Sequence, residues 1–141
     1  MKFLASLLAL LLLFGCGAKN ADAGGAAAQP ETPTALWTRE DVPTGLSYDR
    51  MWIYSAHAET DDPDTLAEIV TAIRALKVGE RNDSATEDFT DVLVFTFADR
   101  ETLRLEFEDR NVVTDGGTRY AVDGLDALRA ILDTLVKDEN G

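Results

Sequence analysis

The sequence predicts an α+β fold, an antiparallel sheet of about four to five strands with two helices packed on one face. Three observations predict it. Two segments repeat apolar residues at three-and-four spacing, one opened by Asp62-Pro63-Asp64 and one by Asp123. Short runs rich in Val, Leu, Phe and aromatic residues precede and separate them. The resulting order of strand, helix, three or four strands, helix implies an antiparallel sheet with helices packed on one face, a two-layer sandwich.

Residues 50–58 (RMWIYSAHA) read as the first strand, with Met51, Ile53 and Ser55 on one side and Trp52, Tyr54 and Ala56 on the other. The segment before it, residues 36–48, contains Val42-Pro43-Thr44-Gly45 and reads as irregular chain draped over the sheet. Asp62 is suited to an N-cap, Pro63 to the first helical position and Asp64 to the positive end of the helix dipole. Leu66, Ile69, Val70, Ile73 and Leu76 then form one apolar stripe, and Gly79 is the expected C-cap. Residues 80–91 are polar around Asn82-Asp83-Ser84 and are expected to be a solvent loop.

Residues 91–97 (DVLVFTF) and 102–107 (TLRLEF) form a hairpin around Ala98-Asp99-Arg100-Glu101. Alternation of Leu103, Leu105 and Phe107 with Arg104, Glu106 and Glu108 gives the second strand a wet face, while the first is apolar on both sides. Residues 111–114 and 119–122 flank Asp115-Gly116-Gly117, a strong turn signal. Asp123 then caps a final helix with Leu125, Leu128, Ile131 or Leu132, and Leu135 on its apolar face.

The N-terminus carries a different kind of information. Lys2 is followed by an apolar run through Phe14, too short to span a bilayer comfortably and suited to a signal-peptide core. Leu13-Phe14-Gly15-Cys16 resembles the lipobox of bacterial lipoprotein precursors. The resemblance covers about twenty residues and names a processing class, not an activity. It implies that residues 1–15 are a signal peptide and that Cys16 becomes the lipid-bearing first residue. It also implies residence at a cell membrane or outer membrane, on the extracytoplasmic face. Residues 16–34 are rich in Ala and Gly without a large apolar side chain, and are expected to be a flexible tether. Residues 35–141 then form a single globular domain, large enough for one modest core.

Composition narrows the function classes. The chain of 141 residues has a net charge of −13, so nucleic acid and anionic headgroups are repelled and no nucleic-acid partner is expected. Cys16 is the only cysteine, which removes disulfides and zinc–thiolate sites once it is acylated. His57, the only histidine, has neither a cysteine partner nor a serine in a nucleophile-elbow sequence. Glu59, Asp61, Asp62 and Asp64, and likewise Asp83, Glu87, Asp88 and Asp91, could offer oxygen ligands to calcium, but lack the EF-hand spacing. No metal or cofactor is expected. Gly116-Gly117 reads as a turn, not a phosphate loop, because a strand follows it.

Trp37, Tyr48, Trp52 and Tyr54 cluster before the first helix, and of these Trp37, Trp52 and Tyr54 are the candidate interaction surface, with core packing as the alternative. The expectation is therefore a lipid-anchored, non-enzymatic binding or interaction domain, attached to the membrane through Cys16 and facing an envelope protein partner. Two alternatives stand beside it. One is a small envelope hydrolase using carboxylates, with His57 or the pair Glu106 and Glu108, expected on opposite faces of their strand. The other is a passive structural or stress lipoprotein.

Overall fold

The computed structural model describes residues 35–139, apart from 52, 54, 84–89 and 115. The signal peptide, Cys16 and the tether therefore lie outside the described residues, as do Trp52 and Tyr54. The chain folds as β1 (Gly45–Met51), β2 (Ala56–Thr60), α1 (Pro63–Arg74), β3 (Lys77–Arg81), β4 (Thr90–Thr96), β5 (Thr102–Glu108), β6 (Asn111–Val113), β7 (Arg119–Asp123) and α2 (Leu125–Glu139). The strands form one antiparallel sheet in the order β2-β1-β4-β5-β6-β7-β3. The α+β class matches the sequence expectation, as do the two helices among the described residues, but the described sheet has seven strands where four to five were expected, and two strands, not one, precede the first of these helices.

The extra strands come from two places. The run at residues 50–58 is not one strand. Arg50 pairs with Ala56, so the chain reverses between them, and β1 begins at Gly45 inside the segment expected to be irregular. Its aromatic and apolar content imitates a strand interior, although Ile53 and Ser55 belong to no strand. β3 falls where a helix cap and a polar loop were expected. Lys77-Val78-Gly79-Glu80-Arg81 has one large apolar residue, and only pairing with β7 makes it a strand. Gly79 accordingly caps nothing: α1 closes at Ala75, whose N–H bonds to Thr71 O. At its other end Asp62 is the N-cap, accepting from the Thr65 N–H at 2.9 Å and from the Thr65 hydroxyl at 2.6 Å.

Asp123 is likewise not a helix cap but the last residue of β7, paired with Lys77. Gly124 follows with φ +98°, a left-handed turn that redirects the chain into α2. A Cβ there would meet Leu76 Cδ2 only at the ordinary contact distance of 3.5 Å, so it is the left-handed backbone that calls for glycine.

Cross-strand partners share a sheet face. Leu46 with Phe95, Tyr48 with Leu93, Phe107 with Val112, and Val112 with Tyr120 all lie on the helix-covered face. Leu66, Ile69, Val70 and Ile73 of α1, and Leu125, Leu128 and Leu132 of α2, complete one core with them. Fully burying the four α1 side chains is worth roughly 6–12 kcal/mol before conformational entropy is counted. The opposite face carries Ser47, Asp49, His57, Glu59, Arg104 and Glu106. Val92 lies there too, buried between its cross-strand partners Asp49 and Glu106.

Candidate functional site

The site is the tip of the β1–β2 hairpin together with the groups that hold its root. Met51 and Ile53 are 58% and 78% exposed, the largest apolar exposure among the described residues apart from Val42. In sequence they alternate with Trp52 and Tyr54, so four successive residues carry no charge in a chain that is 28% charged. Leaving such residues in water gains nothing for folding, since burial of each is worth about 1.5–3 kcal/mol.

The root is fastened by a buried ion-pair network. Arg50, immediately before Met51, lies opposite Asp91 on β4, on the helix side of the sheet. Asp91 is 1% exposed. Its Oδ1 accepts from the Tyr48 hydroxyl at 2.7 Å and from Arg50 Nε at 2.9 Å, and its Oδ2 accepts from Arg129 Nε at 3.0 Å. Arg50 Nη1 also donates to Asp133, one turn beyond Arg129 on α2. One carboxylate thus ties β1, β4 and α2 together where β1 runs into the tip. Burial, and then the hydrogen bond to Asp91, push the Tyr48 hydroxyl well above the usual tyrosine range. Burial alone would lower the Arg50 guanidinium, but its bonds to Asp91 and Asp133 outweigh this and raise it. Both groups therefore keep their protons at neutral pH, and the network acts as a clamp.

On the open face of the same hairpin, His57 Nδ1 lies 2.7 Å from Asp49 Oδ1, and its Nε2 lies 3.7 Å from Glu59 Oε1. The histidine is thus oriented across β1 and β2 on the exposed surface. A second clamp fixes the far end of the domain. Arg39 donates to Asp41, Asp99 and Glu101 and lies over the Phe97 ring at 4.0 Å. It binds the segment leading from the N-terminus to the β4–β5 turn. Its hydrogen bonds hold the Asp41 and Asp99 carboxyls below the usual carboxylate range.

The structure separates the residues that the sequence grouped. Trp37 is 9% exposed and packs edge-on against Phe95 at 4.9 Å, so it belongs to the core and offers no contact surface. Trp52 and Tyr54 lie outside the described residues. Their described neighbours are the ones seen exposed: Met51, which ends β1 opposite Thr90, and Ile53, which lies in the reversal and not in the strand expected there. Glu106 and Glu108 lie on the same open face, not on opposite faces, because positions two apart share a side of a strand. Each is engaged by an arginine, Glu106 by Arg104 and Glu108 by Arg119. Asp62 is occupied as a helix cap and Asp91 in the clamp. Among the described residues no group of three His, Cys, Asp or Glu side chains is placed to hold a metal ion. A shallow groove of about 360 Å³ runs between the helices, lined by Thr65, Glu68, Ala130, Ile131, Thr134 and Leu135.

Neither protein-family models, curated proteins nor solved structures give a match to this chain.

Proposed function

We propose that this chain is a bacterial lipoprotein, anchored through Cys16 at the extracytoplasmic face of a membrane, whose folded domain is a non-enzymatic binding module that makes contact through the β1–β2 hairpin tip. The observation that carries the contact is the exposure of Met51 and Ile53 on a hairpin whose root is clamped by Arg50, Asp91 and Arg129. Exposed apolar side chains on a rigid support are typical of an interface centre, because little conformational freedom is lost when they are buried. The anchor rests on the lipobox-like Leu13-Phe14-Gly15-Cys16. More than one acyl chain on that residue makes membrane residence stable.

Two measurements on the full chain in cells test this reading. Feeding an alkyne fatty acid should label the protein, and Cys16→Ala should abolish the label and move the protein out of the membrane fraction. Affinity purification under mild detergent should retain a partner that is lost with Met51→Ser/Ile53→Ser. An unlabelled protein overturns the anchor; a recovered set of proteins identical between wild type and the double variant overturns the tip.

A further inference from the structure

We infer that residues 36–44 are a latch: they open and close on the domain while the sheet stays folded, carrying Trp37 out of the core and back.

The segment precedes β1 and is joined to the domain chiefly through side chains. Leu36 is partly buried, Trp37 and Pro43 are buried, and the stretch between them stands in water, with Val42 67% exposed. Among the described residues, no backbone–backbone hydrogen bond links residues 36–43 to the rest of the domain. Pro43 has no N–H to offer. The main-chain attachment comes at Thr44, whose N–H donates to Thr96 O at 2.8 Å and whose hydroxyl donates to the same oxygen at 3.2 Å. β1 pairs with β4 from Gly45 onward, so the ladder is complete without the latch.

Two side chains hold the latch shut, one inside and one outside. Trp37 packs edge-on against Phe95 at 4.9 Å and tilted against Phe97 at 6.0 Å. Its Nε1 is buried and meets no hydrogen-bond acceptor among the described residues. A buried donor without an acceptor regains water when the ring leaves, so this plug is held less firmly than burial of its ring alone would hold it. Arg39 is the outer fastening. It donates to Asp99 and Glu101 on the β4–β5 turn and lies over the Phe97 ring. Those carboxylates are 48% and 73% exposed, so water and salt weaken both bonds. Its third partner, Asp41, belongs to the latch and moves with it. What remains behind is held independently. Phe95 pairs with Leu46 on β1 and with Leu103 on β5, and the Phe97 N–H bonds to Glu101 O.

The latch continues N-terminally into the stretch read as the tether. Opening therefore adds nine residues, about 30 Å when extended, to the reach of the domain from Cys16. This consequence rests on the lipoprotein reading; the opening itself does not.

The test uses the full chain in mild detergent, with Trp52→Phe so that Trp37 is its only tryptophan. Trp37 emission and its quenching by acrylamide report the latch, and far-ultraviolet circular dichroism reports the sheet and helices, across one urea titration. Emission should shift to the red, and quenching should rise, at lower urea than the loss of circular dichroism, as for a locally opening unit. Arg39→Ala is expected to raise the open fraction about five- to thirtyfold, moving the emission transition to lower urea and the circular dichroism transition by much less. Raising salt from about 0.05 to 0.5 M should act in the same direction. Arg104→Ala, which breaks an exposed pair with Glu106 on another part of the sheet, should leave the gap between the transitions as it was. The inference is overturned if the two transitions coincide, or if Arg39→Ala moves both equally, because Trp37 then leaves only when the whole domain unfolds. That failure leaves the anchor standing. Conversely, a chain that takes up no alkyne fatty acid loses the gain in reach and keeps the latch.

Discussion

Asp91→Ala should be the most damaging single substitution at the hairpin root, and its size follows from the geometry. The carboxylate is 1% exposed and accepts three hydrogen bonds, from Tyr48, Arg50 and Arg129. Removing it takes an acceptor from two guanidinium groups and a buried hydroxyl at once. Arg50 keeps Asp133, but Arg129 loses its bond to Asp91 in a site with little water. Breaking a buried charge pair from one side costs about 3–5 kcal/mol. Domains of this size have about 5–15 kcal/mol in all. With a urea dependence of about 1.5–2 kcal/mol per molar, a loss of about 4 kcal/mol moves the midpoint down by about 2 M. Circular dichroism in urea measures this directly. Asp91→Asn keeps an acceptor for Tyr48 and should fall between wild type and Asp91→Ala. Glu101→Ala, at an exposed ion pair with Arg39, should shift stability by less than about 1 kcal/mol. The reasoning fails if Asp91→Ala lies within about 1 kcal/mol of wild type, or if Glu101→Ala is equally costly.

Further predictions follow from the same structure. Tyr48 ionises above its ordinary value near 10 when folded, so the unfolded chain loses that proton first and stability falls as pH rises past about 10. Tyr48→Phe should cost about 1.5–3 kcal/mol at pH 7 and make the alkaline fall shallower, as read by melts from pH 7 to 11. Asp41 and Asp99 are depressed by Arg39, and Asp62 by its bonds from Thr65, so the unfolded chain takes up their protons first. Stability should therefore fall as pH drops below about 4, and Arg39→Ala should lessen that fall in melts at pH 3 against pH 7. Gly124→Ala must adopt a left-handed backbone, and should lower stability by about 1–2 kcal/mol in urea titration.

The parts of the fold legible in the sequence are those whose determinants are local. The stripe from Leu66 to Ile73 with Asp62-Pro63 before it specifies the start of α1 to the residue, whereas its end at Ala75 comes four residues before the expected cap at Gly79. Alternation around residues 98–101 specifies the β4–β5 hairpin in the same way. β3 was illegible because its five residues become a strand only through β7, at an edge where one face is polar and a register shift interrupts pairing. The β1–β2 reversal was illegible for a related reason. Met51 and Ile53 are residues that a buried strand would use, and no glycine, proline or asparagine marks the turn. That failure coincides with the candidate site, where local sequence and fold stability make different demands.

The site was half legible. Aromatic enrichment before α1 pointed to the right stretch of chain, but composition could not sort core from surface. Trp37 turned inward onto Phe95 and Phe97, while Met51 and Ile53 faced solvent. The clamp beneath the tip joins residues up to 83 positions apart in sequence and left no local signal at all.

The contact itself is tested most directly by photo-crosslinking in living cells. A photoreactive phenylalanine analogue replaces Ile53 or, as an exposed control at a distant point in the chain, Val42, which is 67% exposed. Each variant is expressed with Cys16 intact and with Cys16→Ala. A discrete protein adduct formed from position 53 in the anchored chain, absent from position 42 and reduced without the anchor, is the predicted result. Equal adducts from both positions, or none from position 53 in a chain shown to be folded, would contradict the account.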